Sequence, residues 1–316
     1  MKRSIIFGLS LIMLLVGCSS GGSTAGTSKE TSAAEPADEG AVVMTEEEVM
    51  IPSRENIMIP GTVTLPAGKD HVPFVILCHG HGGDRHENGG LDAIADRLAA
   101  NGIASIRVDY PGCGESAETF DRNNMTNMDM DTESAIQYME DHYPVDTNKA
   151  GIFGYSMGGR IALELLGEGA KNFSAVVLLA PAADTEDLKN LFGGAENWEK
   201  LKESANESDD KWVEYTTIYG QKQHLGAKWF ADLETKNFED VVQKAADHYS
   251  DPSLVIYAVD DTAVSPAVSQ GVADALHAEV VKTPEDGHGY GFYGGPAYVK
   301  RIVVENTVDF FVKNLK

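Results

Sequence analysis

Short apolar runs rich in β-branched residues alternate along the chain with segments whose apolar positions recur every three or four residues. The runs are Phe74 to Cys78, Ile103 to Val108, Ala150 to Phe153, Ala175 to Ala180, Leu254 to Val259 and Ala278 to Val281. Such runs, apolar on both faces and bounded by turn residues, predict buried strands of a mostly parallel sheet. Helical spacing marks Leu91 to Ala100, Asp129 to His142, Met157 to Gly167, Val268 to Ala275 and a final helix over about Ala297 to Leu315. Ahead of them, Val42 to Met50 and Asn56 to Leu65 read as an antiparallel pair. The order predicts a doubly wound α/β domain, the sheet flanked by helices.

One stretch breaks the alternation. Residues 182–250 interpose about 70 residues where a crossover needs about 10 to 15. They hold all three tryptophans, Trp198, Trp212 and Trp229, together with Phe192, Tyr215, Tyr219, Phe230 and Phe238. Spacings such as Trp229/Leu233 and Phe238/Val241/Val242 predict helices laid over the sheet as a lid. Each aromatic taken singly reads first as packing for the insert; together they roof the strand ends.

The N-terminus has a different pattern. Met1-Lys2-Arg3 is basic, Ile5 to Val16 is apolar over about a dozen residues, and Leu15-Val16-Gly17-Cys18 follows. That is the length of a signal peptide, since a spanning helix needs about 20 apolar residues. The last four residues resemble the bacterial lipobox, which implies cleavage after residue 17, a lipid on the Cys18 sulfur and an exported chain anchored to a membrane of the cell envelope. An uncleaved anchor is the alternative. Residues 18–40 are Ser, Gly, Thr and Ala with scattered acids, too polar to bury a core, and read as a flexible tether. The globular domain is expected over 41–316, with the lid inserted at about 182–250.

Composition narrows the partners. The 316 residues carry 25 Lys+Arg against 49 Asp+Glu, a formal charge of −24, and no basic cluster follows Arg3, so nucleic acid is excluded as a partner. The acidic excess is spread over tether, lid and core, as expected of a solvated exterior. Three cysteines cannot make a disulfide scaffold. Cys78 and Cys113 lie beside strand ends and read as two buried free thiols, with pairing as the alternative.

The candidate chemistry begins at Gly154-Tyr155-Ser156-Met157-Gly158, a G-x-S-x-G match. Its context makes it specific: a strand ends at Ile152-Phe153 and a helix begins at Met157, so Ser156 sits on the sharp turn of a nucleophile elbow. A serine hydroxyl needs a base, and the base an orienting carboxylate. Of nine histidines, His288 is placed best, in the glycine-bearing loop Asp286-Gly287-His288-Gly289-Tyr290 after a strand. The carboxylate belongs to the loop after the preceding strand, where Asp260 and Asp261 compete; Asp261 fits the D-x-x-V spacing. For the oxyanion, the backbone amides of His81, in the loop His79-Gly80-His81-Gly82-Gly83, and of Met157 are the expected donors. The His81 side chain has substrate or zinc as other readings, but no HExxH-like spacing accompanies it, so no metal and no cofactor are expected.

From about residue 55 onward the chain resembles α/β-hydrolase-fold serine esterases, and more narrowly the bacterial feruloyl (cinnamoyl) esterases. The residues that carry this are His79-Gly80, Asp109 to Ser116 with Phe120 and Met125-Thr126, the elbow Gly154 to Gly159, Leu178 to Ala183, Asp260 to Pro266 and Gly287-His288-Gly289. The resemblance implies hydrolysis of hydroxycinnamoyl esters, free or linked to a polysaccharide, through an acyl-enzyme, beneath a small lid. The chain departs from that pattern at His81, where a bulky apolar residue is common, at Tyr155, where histidine is frequent, and at Tyr257-Ala258-Val259, which replaces a His-Gly pair. Lipase or peptidase chemistry on the same fold, and a surface binding module with an inactive core, are the competing functions.

Overall fold

The structure is a computed structural model and describes residues 44–217 and 220–316. The leader, the tether and Cys18 therefore lie outside the described residues, as does Tyr219 of the lid. Strands β1 (Met44–Pro52), β2 (Met58–Pro66), β3 (Val72–Cys78), β4 (Ala104–Val108), β5 (Val145–Tyr155), β6 (Ala175–Leu179), β9 (Ser253–Ala258) and β10 (Glu279–Thr283) form one eight-stranded sheet. Its spatial order is β1-β2-β4-β3-β5-β6-β9-β10, antiparallel at β1-β2 and β2-β4 and parallel thereafter. Helices α1 (Gly90–Ala100), α2 (Met125–His142), α3 (Met157–Glu168), α8 (Pro266–Leu276) and α9 (Ala297–Leu315) flank it. This is the expected doubly wound α/β architecture, an α/β-hydrolase fold. Every residue of β4, β6 and β9 is buried, which is why these strands read as continuous apolar runs.

Two boundaries differ from the sequence reading by more than two residues. Helix α2 starts a turn earlier than Asp129, because the Asn124 side chain accepts the Asn127 amide at 3.1 Å and caps the N-terminus. Strand β5 extends back to Val145, through polar residues that periodicity passes over.

The insert also differs. Helices α4 (Thr185–Leu191), α5 (Ala195–Glu207), α6 (Ala227–Thr235) and α7 (Phe238–His248) form as spaced, but a β-hairpin, β7 (Trp212–Thr216) with β8 (Lys222–Gly226), stands between α5 and α6. The aromatic and β-branched residues of 212–217, closed by Gly220, favour a strand over a helix turn. The aromatics make the insert's own core: Trp198 and Trp229 are fully buried 5.1 Å apart by ring centroid, with Phe192 and Phe230 edge-on to Trp198 at 5.5 and 5.0 Å.

Arg160 ties this insert to the body. It is fully buried in α3, one turn behind Ser156, and pairs with Glu164 at 2.9 Å. Its guanidinium also donates to the Ala183 carbonyl, the Thr185 hydroxyl and the Lys236 carbonyl at 3.4, 3.0 and 3.0 Å. Those acceptors lie at the start of the insert and at the junction between α6 and α7.

Candidate active site

The strand-to-helix turn after β5 forces Ser156 to φ 54° and ψ −115°, a region that costs an L-residue about 1–3 kcal/mol. The surrounding backbone over-determines it. The Ser156 amide donates to Leu179 O and its carbonyl accepts from Ala182 N, both at 2.9 Å. A Cβ on Gly154 would strike the Gly158 carbonyl, and one on Gly158 the Cys78 carbonyl, so both elbow glycines are required by close approach.

The structure brings three of the expected side chains together. Ser156 Oγ is 2.9 Å from His288 Nε2, and His288 Nδ1 is 2.7 Å from Asp261 Oδ2. The other Asp261 oxygen accepts the Ala263 and Val264 amides at 2.9 and 3.0 Å. Burial raises the Asp261 carboxyl, but the His288 bond and charge, the Val264 amide and the Tyr290 hydroxyl outweigh it and hold the group below its ordinary range. Asp260 does something else: its carboxylate accepts the Asp286 and Gly287 amides at 3.4 and 3.2 Å and so anchors the loop that carries His288.

Two tyrosines that the sequence reading gave no role flank this array. Tyr290 donates to Asp261 Oδ2 at 2.8 Å and accepts the Ala258 amide at 3.0 Å. Tyr155 donates to the His288 carbonyl at 2.5 Å and stacks on its ring, centroids 5.2 Å apart. The position of Tyr290 two residues past His288 was the only sequence signal for the first. For the second it was the replacement of the frequent histidine.

The loop after β3 is fixed with equal economy. The Tyr110 amide donates to His79 Nε2 at 3.2 Å, so the proton sits on Nδ1, which donates to the Gly80 carbonyl at 2.8 Å. Gly83 N reaches the same carbonyl at 3.1 Å. In a planar trans peptide the following N–H points the opposite way, so these bonds set the direction of the His81 amide. Neither that amide nor Met157 N donates to a protein acceptor among the described residues, and both residues line the cavity above Ser156. Glu87, buried, accepts the Gly80 amide at 2.6 Å and the Tyr293 hydroxyl. Burial pushes its carboxyl up to about 7.

The cavity over Ser156 measures about 630 Å³, within the range of small-molecule sites. Its lid side combines the apolar Leu188, Leu191, Phe192 and Trp229 with the polar Thr217, Gln221 and Gln223 of the hairpin; its opposite side is formed by glycines of the two loops with Glu87, Asp286 and Tyr293. The His81 side chain belongs to the lid side, with its ring 5.3 Å from Phe120 and 5.5 Å from Trp229. Among the described residues no group of three or more His, Cys, Asp or Glu converges as metal ligands would. Cys78 and Cys113 are unpaired and buried; burial pushes the Cys78 thiol up to about 12 and the Cys113 thiol higher still, which leaves both unreactive.

The family model for serine aminopeptidases of the S33 group matches residues 69–289, a span that contains the elbow, the lid and the His288 loop. The chain belongs to this family. As a member of the S33 group it is an α/β-hydrolase-fold hydrolase. A curated relative from Escherichia coli, an uncharacterized 31.7 kDa protein of the traX-finO intergenic region, is 24% identical over 279 residues, 80% of this chain and 95% of the relative. Among solved structures, Est1E from Butyrivibrio proteoclasticus with ferulic acid bound superposes with a TM-score of 0.69 at 21% identity, covering 84% of this chain and 99% of Est1E. A hypothetical protein from Pseudomonas aeruginosa gives a TM-score of 0.68 at 15% identity over 87% of this chain and 95% of its own. An esterase from Pyrococcus furiosus gives 0.61 at 17% identity over 86% and 92%. At these identities the likenesses show the shared fold alone.

Proposed function

We propose that the protein hydrolyses carboxylic esters, with acyl groups of the hydroxycinnamoyl type, through an acyl-enzyme on Ser156. The observation that carries this is the hydrogen-bonded chain Ser156–His288–Asp261 at the floor of a cavity walled by Phe192 and Trp229. Ser156 attacks the ester carbonyl as His288 Nε2 takes its proton; Asp261 holds the imidazolium through Nδ1. The His81 and Met157 amides receive the oxyanion, each such donor being worth about 10²–10³ in rate. His288 then protonates the leaving alcohol, and water repeats the attack to free Ser156. A flat aromatic acyl group suits the Phe192 and Trp229 rings, and ferulic acid is the molecule bound to Est1E.

Peptide hydrolysis, which the family's description names, is less well served. An aminopeptidase needs an anionic group for the substrate's ammonium; Glu87 is spent on Gly80 N and Tyr293, which leaves Asp286, one of whose oxygens accepts the Gly291 amide, as the single remaining carboxylate among the described acids on the cavity wall. From its sequence alone, we place the enzyme outside the cytoplasm, tethered to a membrane of the cell envelope by a lipid on Cys18.

A substrate panel tests the reading: methyl ferulate, p-nitrophenyl butyrate, a monoacylglycerol and a dipeptide amide, on wild type and Ser156→Ala. Turnover of the ferulate, lost in Ser156→Ala, is expected. Cleavage of the butyrate with the ferulate untouched removes the hydroxycinnamoyl assignment, and preferential cleavage of the amide removes the esterase one. A fluorophosphonate probe that fails to label Ser156 points to a binding module.

A further inference from the structure

The β7–β8 hairpin meets the loop after β3 at Gly82. The hairpin turn is closed by Thr217, whose carbonyl accepts the Gly220 amide at 2.9 Å and whose amide donates to the Gln221 carbonyl at 2.9 Å. The Thr217 hydroxyl accepts the Gln221 amide at 3.2 Å, so the Gln221 backbone is held from both sides. The Gly82 carbonyl can only accept, and it is the side-chain amide nitrogen of Gln221 that faces it, at 3.1 Å. The Gln221 oxygen accepts from Gln223 Nε2 at 3.3 Å, and Gln223, itself buried, bonds His81 Nε2 at 3.0 Å. Gly82 has φ 69°, and a Cβ there would lie 2.5 Å from Gln223 Nε2 and 3.0 Å from the Gln221 oxygen. Both glutamine amides therefore close directly over a residue that has to be glycine.

The contact has a route to the oxyanion. The Gly82 carbonyl shares a peptide unit with the Gly83 amide, which donates to the Gly80 carbonyl at 3.1 Å. The Gly80 carbonyl in turn shares a peptide unit with the His81 amide. In a planar trans peptide the C=O and the N–H point opposite ways. Three donors thus run head to tail: Gln221 Nε2–H to Gly82 O, Gly83 N–H to Gly80 O, and His81 N–H at the free end, with no protein acceptor among the described residues. A bond accepted at one end of a peptide polarises the N–H at its other end, and such chains strengthen cooperatively. Among the described residues Gln221 alone donates to the Gly82 carbonyl. The Gly80 carbonyl keeps its second donor, His79 Nδ1 at 2.8 Å, independently of the lid.

We propose that Gln221 is a positioning residue for the oxyanion: it fixes the Gly82–Gly83 peptide and through it aims and polarises the His81 amide, while Gln223 holds Gln221 in place. The inference rests on the serine-esterase reading above. The lid then takes part in the chemical step as well as in acyl selection. A hairpin of another sequence keeps the donor aimed only if it presents an N–H to the same carbonyl.

The test uses Gln221→Met, which removes the donor at an exposed position, with Lys222→Ala as the control on the same hairpin, where the side chain pairs with Glu214 at 2.9 Å. Turnover is measured on p-nitrophenyl acetate and on methyl ferulate, and the rate at which a fluorophosphonate labels Ser156 is measured separately, because its phosphoryl oxygen takes the place of the oxyanion. Rates are counted per site that the probe finally labels, which removes any unfolded fraction. Gln221→Met is expected to lower kcat about tenfold on both esters by the same factor, with KM unchanged, and to slow labelling to a similar extent. That is a fraction of the 10²–10³ lost when an oxyanion donor is removed outright, as the remaining His79 bond requires. Lys222→Ala keeps the wild-type rates. A change confined to KM or to methyl ferulate shows that Gln221 only shapes the acyl pocket, and overturns the proposal; so do wild-type rates in Gln221→Met, or an equal loss in Lys222→Ala. If Ser156 is labelled but no ester is turned over, the esterase reading has failed by itself and the labelling rates decide the role of Gln221. A wild-type Ser156 that the probe does not label overturns both.

Discussion

The Tyr290 hydroxyl lies 2.8 Å from the same Asp261 oxygen that His288 Nδ1 approaches at 2.7 Å. Two donors thus share one carboxylate oxygen. The second lowers its basicity, and with it the stabilisation of the imidazolium that forms when Ser156 attacks. Tyr290→Phe is expected to make the Asp261 carboxylate a better partner for protonated His288. The acid limb of the kcat/KM profile then moves to higher pH, and stability falls by about 1–3 kcal/mol as the Ala258 amide loses its acceptor. A pH-rate profile alongside thermal unfolding checks both; an unmoved acid limb rejects the electrostatic role.

The division of labour between neighbouring acids is equally open to measurement. Asp261→Asn should permit the wrong imidazole tautomer and lower kcat by about 10⁴. Asp260→Asn, which weakens only the acceptor for the Asp286 and Gly287 amides, should cost less than tenfold. Equal losses would mean that the two roles are wrongly assigned.

Glu87 makes a prediction about pH and stability. Its folded-state carboxyl is raised to about 7 from an ordinary value of 4.5. The unfolded chain releases this proton first, so between these values the unfolded state binds fewer protons and Glu87 makes stability fall as pH rises. Glu87→Gln removes that dependence while keeping an acceptor for the Gly80 amide. Its Tm relative to wild type is expected to rise between pH 4.5 and 7 and then level off. A difference that stays constant across that window shows that the carboxyl is ionised throughout.

Trp198 is fully buried in the lid core, its Nε1–H on Glu234 at 2.7 Å, and does not line the cavity. Trp198→Ala should cost about 3–5 kcal/mol and loosen Phe192 and Trp229, which contact it. KM for aromatic esters then rises more than KM for acetyl esters, while kcat on acetyl esters holds. A uniform fall in kcat for every ester argues that the damage reaches Ser156.

What could be read from the chain follows the range of the interactions. The elbow is legible because its requirements are met within five residues, Gly154 to Gly158. The His288 and Asp261 loops are legible because each directly follows an apolar strand. The hydrogen bond between His81 Nε2 and Gln223 Oε1 joins residues 142 apart, and a glutamine on a lid strand carries no mark of that contact. Glu87 looks like any loop acid until its burial beside Gly80 is known. The hairpin escaped because its aromatic residues fit helical and extended periods alike over so short a span.

The Arg160 guanidinium gathers the start of the lid, Ala183 and Thr185, and the α6–α7 junction at Lys236. The intervening segment therefore leaves and rejoins the body at neighbouring points, with its own tryptophan core between them. A segment with that geometry is an exchangeable cassette: its length and shape can change without stretching the sheet beneath, since both stumps stay on one arginine. Substrate preference in this family can then diversify by replacement of residues 184–236 as a block, while the hydrolytic floor is inherited unaltered.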